Sequence, residues 1–272
     1  MTSTVDRHAT PDGTELLVRR WPTTGPPWAR LLIVPGLAEH SGRYEHVGRH
    51  FAGAGIDAHG IDLRGFGGSG GRRAWIDRWS QHHDDLEHRI ARLRSDPQEV
   101  PFVLYGHSLG GLVALGYALD ARVRPDLLVL SAPAISASIP AWQRALVATL
   151  SRLAPGTRIA NRLPPDILSK DPAVWTDYMA DPLNEHRSTI RLGSAALAEQ
   201  RRVAAGLDRL SIPTLVIHGA DDRLVPTVTS EAFEGRRGVE RRVYPGGRHE
   251  LHNDTERGQV LDDVVAWIRA NV

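Results

Sequence analysis

The candidate nucleophile is Ser108, which stands between two glycines in the stretch Gly106-His-Ser-Leu-Gly110. One apolar run ends just before this stretch and another begins just after it, which predicts a strand, a sharp turn and a helix. Such a turn exposes the hydroxyl and points the N–H groups of the next helix at an anion that forms beside it. The pattern is short, however, and the serine could serve only as a helix N-cap.

A serine hydroxyl needs a base, and suitable groups follow Ser108 in the order expected for such a site. Asp221 and Asp222 follow a buried apolar strand, so both would lie at the same sheet edge as the serine. From the residues alone, either aspartate could orient an imidazole while the other caps the turn. His249 follows the next strand, the position required of the base, whereas His252 lies too close to the last helix to be preferred.

A tetrahedral intermediate would also need two backbone N–H donors for its oxyanion. Leu109, the residue after the candidate nucleophile, would supply one of them. The loop after the strand Arg30–Val34 would supply the other, with Gly36 permitting the turn and the N–H of Leu37 as the candidate. This chemistry needs neither a metal nor an organic cofactor, and the chain has no cysteine to act as a thiol nucleophile.

Short apolar runs alternate with helical patterns, which predicts an α/β protein with a mostly parallel open sheet and helices on both faces. The predicted strands are Glu15–Trp21, Arg30–Val34, Ile56–Ile61, Phe102–Tyr105, Leu127–Leu130, Thr214–His218 and Val239–Tyr244. The predicted helices are Tyr44–Ala54, Ser80–Arg94, Leu109–Asp120, Thr229–Gly235 and Arg257–Ala270.

The alternation stops at residues 132–210, where the sequence has no strand pattern. Apolar residues spaced by three and four predict an amphipathic helix there: Ile139, Trp142, Leu146, Leu150 and Leu153. We expect a helical cap inserted between the two core parts, 1–131 and 211–272, and lying over the site; the alternative is a pair of ordinary core helices. The apolar face predicts transient contact with a membrane or micelle surface, and a homodimer formed through the cap stays open.

The composition limits the classes of partner. The 272 residues include 33 basic and 32 acidic side chains, a formal net charge of +1, which argues against a nucleic-acid-binding surface. The N-terminus lacks the apolar core of a signal peptide, and no apolar run approaches the roughly 18 residues that cross a bilayer. We therefore predict a cytoplasmic protein that is at most peripheral to a membrane.

Two other motifs suggest different chemistry but fit it poorly. The stretch Gly65-Phe-Gly-Gly-Ser-Gly70 matches a dinucleotide-binding pattern, yet Gly71-Arg-Arg-Ala-Trp75 is typical of a loop, where that pattern requires a helix. The residues His82-His83-Asp84-Asp85 would be spread around a helix rather than gathered on one side. They predict a solvated helix face and not a metal site.

Three motifs together resemble the monoacylglycerol lipases of the α/β-hydrolase superfamily, particularly their actinobacterial members. They are Gly36-Leu-Ala-Glu-His-Ser-Gly-Arg-Tyr44, Gly106-His-Ser-Leu-Gly-Gly111 and His218-Gly-Ala-Asp-Asp-Arg-Leu-Val-Pro226. The first motif is the most specific, because the whole superfamily shares the serine turn, and the resemblance covers nearly the whole chain. One departure is Pro35-Gly36, where many members have His-Gly.

The resemblance implies an esterase that cleaves monoacylglycerols, a class of lipid monoesters, to fatty acid and glycerol through an acyl-enzyme. It selects the second aspartate, because it implies a triad of Ser108, Asp222 and His249. A lysophospholipase, carboxylesterase, thioesterase or aminopeptidase could use the same triad. A non-catalytic binding protein of this fold is the more distant alternative.

The resemblance also implies a mobile cap over an acyl tunnel and a set of side chains near the glycerol. Those positions are occupied by Arg43, Tyr178 and His252. Their alternative roles are a structural ion pair, a core tyrosine and a surface histidine.

Overall fold

A computed structural model describes residues 2–120, 122–136 and 140–272, and eight of the strands in these residues form one sheet. All ten strands of the described residues, in chain order, are β1 (Thr4–Ala9), β2 (Glu15–Trp21), β3 (Ala29–Val34), β4 (Ile56–Ile61), β5 (Phe102–His107), β6 (Leu127–Ser131), β7 (Arg158–Ala160), β8 (Arg187–Thr189), β9 (Thr214–Gly219) and β10 (Val239–Tyr244). The sheet order is β1-β2-β4-β3-β5-β6-β9-β10, while β7 and β8 form a separate antiparallel pair. Within the eight-stranded sheet, β4, β3, β5, β6, β9 and β10 run parallel, and β2 pairs antiparallel with both β1 and β4.

Helices cover both faces of this sheet. They are α1 (Glu45–Gly53), α2 (Ser80–Arg94), α3 (Leu109–Ala118), α4 (Ala141–Leu153), α5 (Pro172–Ala180), α6 (Ile190–Gly206) and α7 (Arg257–Ala270). Short 3₁₀ helices occupy Ser41–Tyr44, Leu207–Arg209, Thr227–Phe233 and Leu251–Asn253. Apolar residues of α1 and α7 pack on one face, and those of α2, α3 and α6 pack on the other.

The central strands are buried on both faces, which explains their almost uninterrupted apolar sequences. In β3, Leu32 and Val34 join the core under α2 and α3, whereas Leu31 and Ile33 join the core under α1 and α7. The predicted mostly parallel sheet with helices on both faces is confirmed. The loops that leave β3, β5, β9 and β10 at their carboxyl ends therefore converge on one sheet edge.

The sequence patterns missed three strands, and each has a physical reason. The edge strand β1 is largely exposed and polar, so it lacks an apolar run. Contrary to the expectation of a strand-free segment 132–210, that segment contains β7 and β8, which have only three residues each. Strands that short carry no periodic signal. The predicted helix Thr229–Gly235 is a 3₁₀ helix over Thr227–Phe233.

Residues between β6 and β9 form α4, α5, α6 and the β7–β8 pair. The helix α4 presents apolar side chains to solvent: Trp142, Leu146 and Leu153 are 65%, 48% and 78% exposed. Ile139, the first residue of the predicted amphipathic pattern, lies outside the described residues. Of the helices in the described ranges, none combines the length and apolar character needed to cross a membrane.

The predicted solvated face of α2 is wrong, because His82, His83 and Asp85 are all buried. The ring of His83 contacts Asp120 at 2.8 Å, and the carboxylate of Asp85 is paired with Arg64. Polar groups can be buried here because most of them have partners on neighbouring elements. His82 differs, since neither of its ring nitrogens has a hydrogen-bond partner among the described residues.

Candidate active site

Ser108 occupies a sharp turn between β5 and α3, with a positive φ of 50° that is unusual for a residue other than glycine. The backbone packs so tightly around this turn that the flanking positions, Gly106 and Gly110, have no room for a side chain. A Cβ at Gly106 would lie 2.5 Å from the carbonyl oxygen of Gly110, and one at Gly110 would lie 2.1 Å from that of Val34. The Ser108 side chain makes no capping hydrogen bond to α3. Its hydroxyl is therefore not used as an N-cap, and Ser108 lines a cavity instead.

The candidate acid and base are in contact. Oδ2 of Asp222 lies 2.7 Å from Nδ1 of His249. Because a carboxylate only accepts hydrogen bonds, Nδ1 carries the proton and Nε2 is left as a proton acceptor. His249 lines the same cavity as Ser108, whereas the side chain of Asp221 is exposed at the surface.

Asp222 is held by three further hydrogen-bond donors. Its Oδ1 accepts hydrogen bonds from the backbone N–H groups of Leu224 and Val225, at 2.9 and 2.8 Å. Nε2 of the buried His218 lies 3.2 Å from Oδ2 and 2.8 Å from the Val225 carbonyl, so this nitrogen carries the proton. Burial alone would raise the pKa of Asp222, but His249 and the donated hydrogen bonds outweigh it and hold that pKa well below its usual range. Asp222 is thus a fixed carboxylate.

Leu37 and Leu109, the residues of the two predicted oxyanion donors, both line the cavity. Neither the Leu37 N–H nor the Leu109 N–H donates a hydrogen bond to another described residue. The loop that carries Leu37 is braced by the buried Glu39, which accepts hydrogen bonds from the Gly36 N–H and from the Tyr44 hydroxyl. The brace shows how this loop is held although Pro35-Gly36 departs from the usual His-Gly.

Arg43 lies at the polar end of the cavity, held by two buried carboxylates. Its guanidinium donates two hydrogen bonds, of 2.7 and 2.8 Å, to Glu250 and a further one to Glu39. It also lies 4.9 Å from the ring centroid of Tyr178. Burial would lower the pKa of Arg43, but the two carboxylates raise it above its ordinary value. The ion pairs leave Arg43 mainly a structural part of the cavity wall.

The other two predicted substrate contacts differ in position. Tyr178 lines the cavity, and its buried hydroxyl has no hydrogen-bond partner among the described residues. His252 is fully buried behind the cavity wall, where its ring stacks on Tyr44 at 4.7 Å between centroids. Burial lowers the pKa of His252 to about 3. It does not line the cavity, so we leave it out of the substrate contacts.

The cavity has a volume of about 630 Å³, within the range of small-molecule sites. Its wall includes a polar cluster in which Arg43 contacts Glu39, Glu250 and Tyr178. Apolar side chains make up much of the rest of the wall: Leu37, Leu163, Leu168, Leu224, Val225 and Val228. Polar side chains also line it, among them Asn161, Arg162, Gln200 and Arg223. The cavity therefore suits a molecule with a small polar group and a long apolar one.

Residues 25–256 match the model of the hydrolase family described as serine aminopeptidase, S33. The chain belongs to this family. It is 34% identical over 269 residues to a monoacylglycerol lipase of Mycolicibacterium smegmatis, an alignment that covers 94% of this chain and 93% of that protein. The resemblance to the monoacylglycerol lipase family is thereby confirmed.

Solved structures agree with this assignment. The crystal structure of Paleococcus ferrophilus monoacylglycerol lipase matches with a TM-score of 0.85 and 28% identity, over 94% of this chain and 99% of that one. A soluble variant of monoglyceride lipase from Saccharomyces cerevisiae matches with a TM-score of 0.89 and 20% identity, over 100% and 96% of the chains. The second likeness bears on the fold alone, which is the α/β-hydrolase fold.

Sequence reasoning missed several residues that support the site in this family member. His218 contacts Asp222, Glu39 braces the loop of Leu37, and Glu250 holds Arg43. All three stand in or beside the motifs already singled out, so proximity to those motifs was the available signal. His107, whose ring centroid lies 4.8 Å from that of His249, is the residue before the candidate nucleophile.

Proposed function

We propose that the protein hydrolyses monoacylglycerols to fatty acid and glycerol, with Ser108, Asp222 and His249 as its catalytic triad. The observation that carries the proposal is a single cavity, lined by Ser108 and His249, whose wall includes both the polar cluster around Arg43 and many apolar side chains. A monoacylglycerol has a polar glycerol headgroup and an apolar acyl chain, so it could use both kinds of wall. The similarity to the lipase of Mycolicibacterium smegmatis supports this choice of substrate.

In the proposed reaction, Nε2 of His249 takes the Ser108 proton as the hydroxyl oxygen attacks the ester carbonyl carbon. Asp222 keeps the imidazole oriented and stabilises the imidazolium that forms. The N–H groups of Leu37 and Leu109 bind the oxyanion. Collapse of the intermediate breaks the ester C–O bond, and the glycerol oxygen leaves with the proton from His249. Water then attacks the acyl-enzyme with His249 again as base, and the fatty acid is released.

The polar and the apolar lining residues would orient the substrate. The Tyr178 hydroxyl is buried without a partner in the described chain, so a glycerol hydroxyl would satisfy it. The acyl chain would be buried against Leu163, Leu168 and Val228, each CH₂ group contributing about 0.8 kcal/mol. This arrangement favours esters with a small polyol over esters with a bulky leaving group.

Aminopeptidase activity, which the family description names, fits the cavity less well. An aminopeptidase needs a carboxylate to bind the free amine of its substrate. The acidic side chains that line the cavity are Glu39 and Glu250, and both are paired with Arg43. Because both carboxylates already pair with Arg43, neither is free to bind the amine of a substrate.

We also propose that residues 132–210 act as the cap of this site. Side chains from this segment line the cavity opposite the sheet edge, among them Leu163, Tyr178 and Gln200. The segment is linked to the core by polar contacts, such as the 2.8 Å contact between His40 and Asp181. Such a cap would keep water away from the reacting ester until the glycerol has left and the acyl-enzyme is ready to be hydrolysed.

The first test measures free fatty acid released from a monoacylglycerol, a diacylglycerol and a lysophospholipid. We expect turnover of the monoacylglycerol, loss of that turnover in Ser108→Ala, and wild-type rates in Ser211→Ala, which changes an exposed serine away from the cavity. If a fluorophosphonate labels Ser108 but the protein cleaves no monoacylglycerol, the proposed substrate is wrong and Ser108 remains the nucleophile. A Ser108→Ala variant with full activity would contradict the triad.

The exposed face of α4 is proposed to contact lipid surfaces reversibly, with Trp142, Leu146 and Leu153 inserted at the interface. Trp142→Ala should lower both liposome binding and activity on micellar substrate, while activity on a dissolved short ester stays constant. Val123→Ala, which truncates another exposed apolar side chain outside this face, should change neither. Equal liposome binding by the two variants would contradict the proposal.

A further inference from the structure

A second cavity, of about 260 Å³, lies at the opposite end of the strands from Ser108. Its wall includes Arg30, which pairs in register with Phe102, the first residue of β5, whereas Ser108 follows the last. At about 3.3 Å per residue, this places the second cavity roughly 20 Å from the nucleophile. It is therefore separate from the proposed catalytic cavity.

We call this second cavity the arginine pocket, and it has a buried floor and an exposed rim. The floor comprises Arg30, Asp57, His59 and Arg89, and the rim comprises Asp6, Arg20 and Arg92. These side chains come from β1, β2, β3, β4 and α2, which are held in place by the sheet and by the core under α2. The pocket is a rigid, solvent-accessible recess with charged walls.

Arg89 lines this pocket and is almost fully buried, with 7% of its surface exposed. No carboxylate of the described chain lies within 4 Å of its guanidinium. Its two Nη groups donate hydrogen bonds of 3.1 Å to Nδ1 of His8 and to Nδ1 of His59. The Nε2 groups of these rings donate to Asp6 and Asp57, so each ring presents a neutral acceptor to Arg89. The Nε–H of Arg89 has no partner within the described residues.

The nearby carboxylates offset this cation only in part: Asp57 and Asp6 raise the pKa of Arg89, but neither contacts its guanidinium directly. Asp57 is shared by Arg20, at 2.9 Å, and Arg30, at 3.3 Å. Five arginines and three aspartates line the pocket, which leaves an excess of positive charge. Burial, followed by repulsion from Arg92, lowers the pKa of Arg89 to about 10. A buried cation with an unused donor and no counterion is unfavourable unless an anion occupies the pocket.

We propose that the arginine pocket binds a phosphoryl group, either as inorganic phosphate or as the phosphate of a small phosphate monoester, through Arg89 on the floor and Arg92 at the rim. Guanidinium groups match the oxygens of a phosphate because their N–H donors form a planar fork. The bound anion would accept hydrogen bonds from the remaining Nη–H groups of Arg89 and would balance the excess charge. A fatty acid is a poorer fit, because Val18 and Leu93 are the only apolar side chains that the described residues contribute to the lining.

The test is isothermal titration calorimetry of the full chain with inorganic phosphate and, separately, with glycerol 3-phosphate, both in chloride buffer of constant ionic strength. Arg89→Met removes the buried charge and keeps a side chain of similar length. Arg237→Met removes an exposed charge next to β10, at the far edge of the sheet, and is the matched control. Arg92→Met changes an exposed rim residue, so its folding is not in question.

We expect wild type and Arg237→Met to bind phosphate equally, with about tenfold weaker binding in Arg89→Met and several-fold weaker binding in Arg92→Met. Tighter binding of glycerol 3-phosphate than of phosphate would identify a monoester site, and equal binding would identify recognition of the phosphoryl group alone. The proposal is overturned if neither anion binds the wild type, or if binding is unchanged in Arg89→Met. Should Arg89→Met not fold, unchanged binding in Arg92→Met overturns it equally.

Discussion

Two parallel hydrogen bonds, of 2.7 and 2.8 Å, join the guanidinium of Arg43 to the carboxylate of Glu250, 207 residues away in the chain. Glu250 directly follows His249, and Arg43 lies in the 3₁₀ helix after the loop that carries Leu37. The pair therefore ties the loop of the proposed base to the loop of a proposed oxyanion donor. Together with the contacts of Glu39 to Arg43 and to the Gly36 N–H, the pair helps to fix the geometry of both loops.

Glu250→Gln should lower the free energy of unfolding by about 3 kcal/mol, because it leaves a buried Arg43 with only Glu39 as a charged partner. Urea unfolding at pH 7 measures the change. The control Asp208→Asn breaks the exposed pair with Arg236 and should change that free energy by less than about 0.5 kcal/mol. Equal losses in the two variants would show that the buried pair has no special role.

Asp222→Asn should reduce kcat by about 10⁴-fold, because an amide favours the wrong tautomer of His249. Asp221→Asn removes the same charge one residue earlier, from an exposed side chain, and should change kcat less than twofold. The measurement is fatty acid release from a monoacylglycerol, with circular dichroism to check the fold. Comparable rates in the two variants would rule out Asp222 as the triad acid.

Tyr178→Phe removes a buried hydroxyl without a partner in the described chain, so the free enzyme should be at least as stable as wild type. If that hydroxyl binds glycerol, KM for a monoacylglycerol should rise several-fold while kinetics on a p-nitrophenyl ester stay unchanged. Steady-state kinetics on both substrates test this. A parallel change on the two substrates would assign Tyr178 to the structure of the cap and not to the glycerol.

The buried ring of His82 predicts a loss of stability in acid. Burial lowers its pKa to about 3 from an ordinary value of 6.5. Between these pH values the unfolded chain binds a proton that the folded chain does not. The free energy of unfolding therefore falls as the pH falls, by up to about 1.4 kcal/mol per pH unit.

His82→Leu removes this titration, so the loss of stability between pH 7.5 and 5.5 should be about 1.4 kcal/mol smaller than in wild type. Urea unfolding at the two pH values gives both losses. The leucine should also pack against the edge of Trp79, whose ring centroid lies 5.1 Å from that of His82. Identical losses in the two proteins would mean that His82 is already protonated, or exposed, in the folded state.

The sequence predicted the sheet and the serine turn well, because buried parallel strands and glycine-bounded turns carry local signals. Asp221 and Asp222 show where local signals end: both follow β9, and only tertiary structure turns one toward His249. His252 shows the same limit, since its spacing from His249 says nothing of the stacking on Tyr44 that buries it. The polar face of α2 was misjudged because its partners, among them Asp120 and Arg64, lie on other elements.

The loops that carry Ser108, Asp222 and His249 leave three different strands of one sheet, and α7 still has to pack after the last of them. No fragment of the chain that ends before β10 contains a complete set of these groups. Ester hydrolysis would therefore report on cooperative folding of the whole molecule. A ribosome-bound chain would therefore acquire activity only after the loop that carries His249 had emerged, so the onset of fatty acid release would report that β5, β9 and β10 had come together in one sheet.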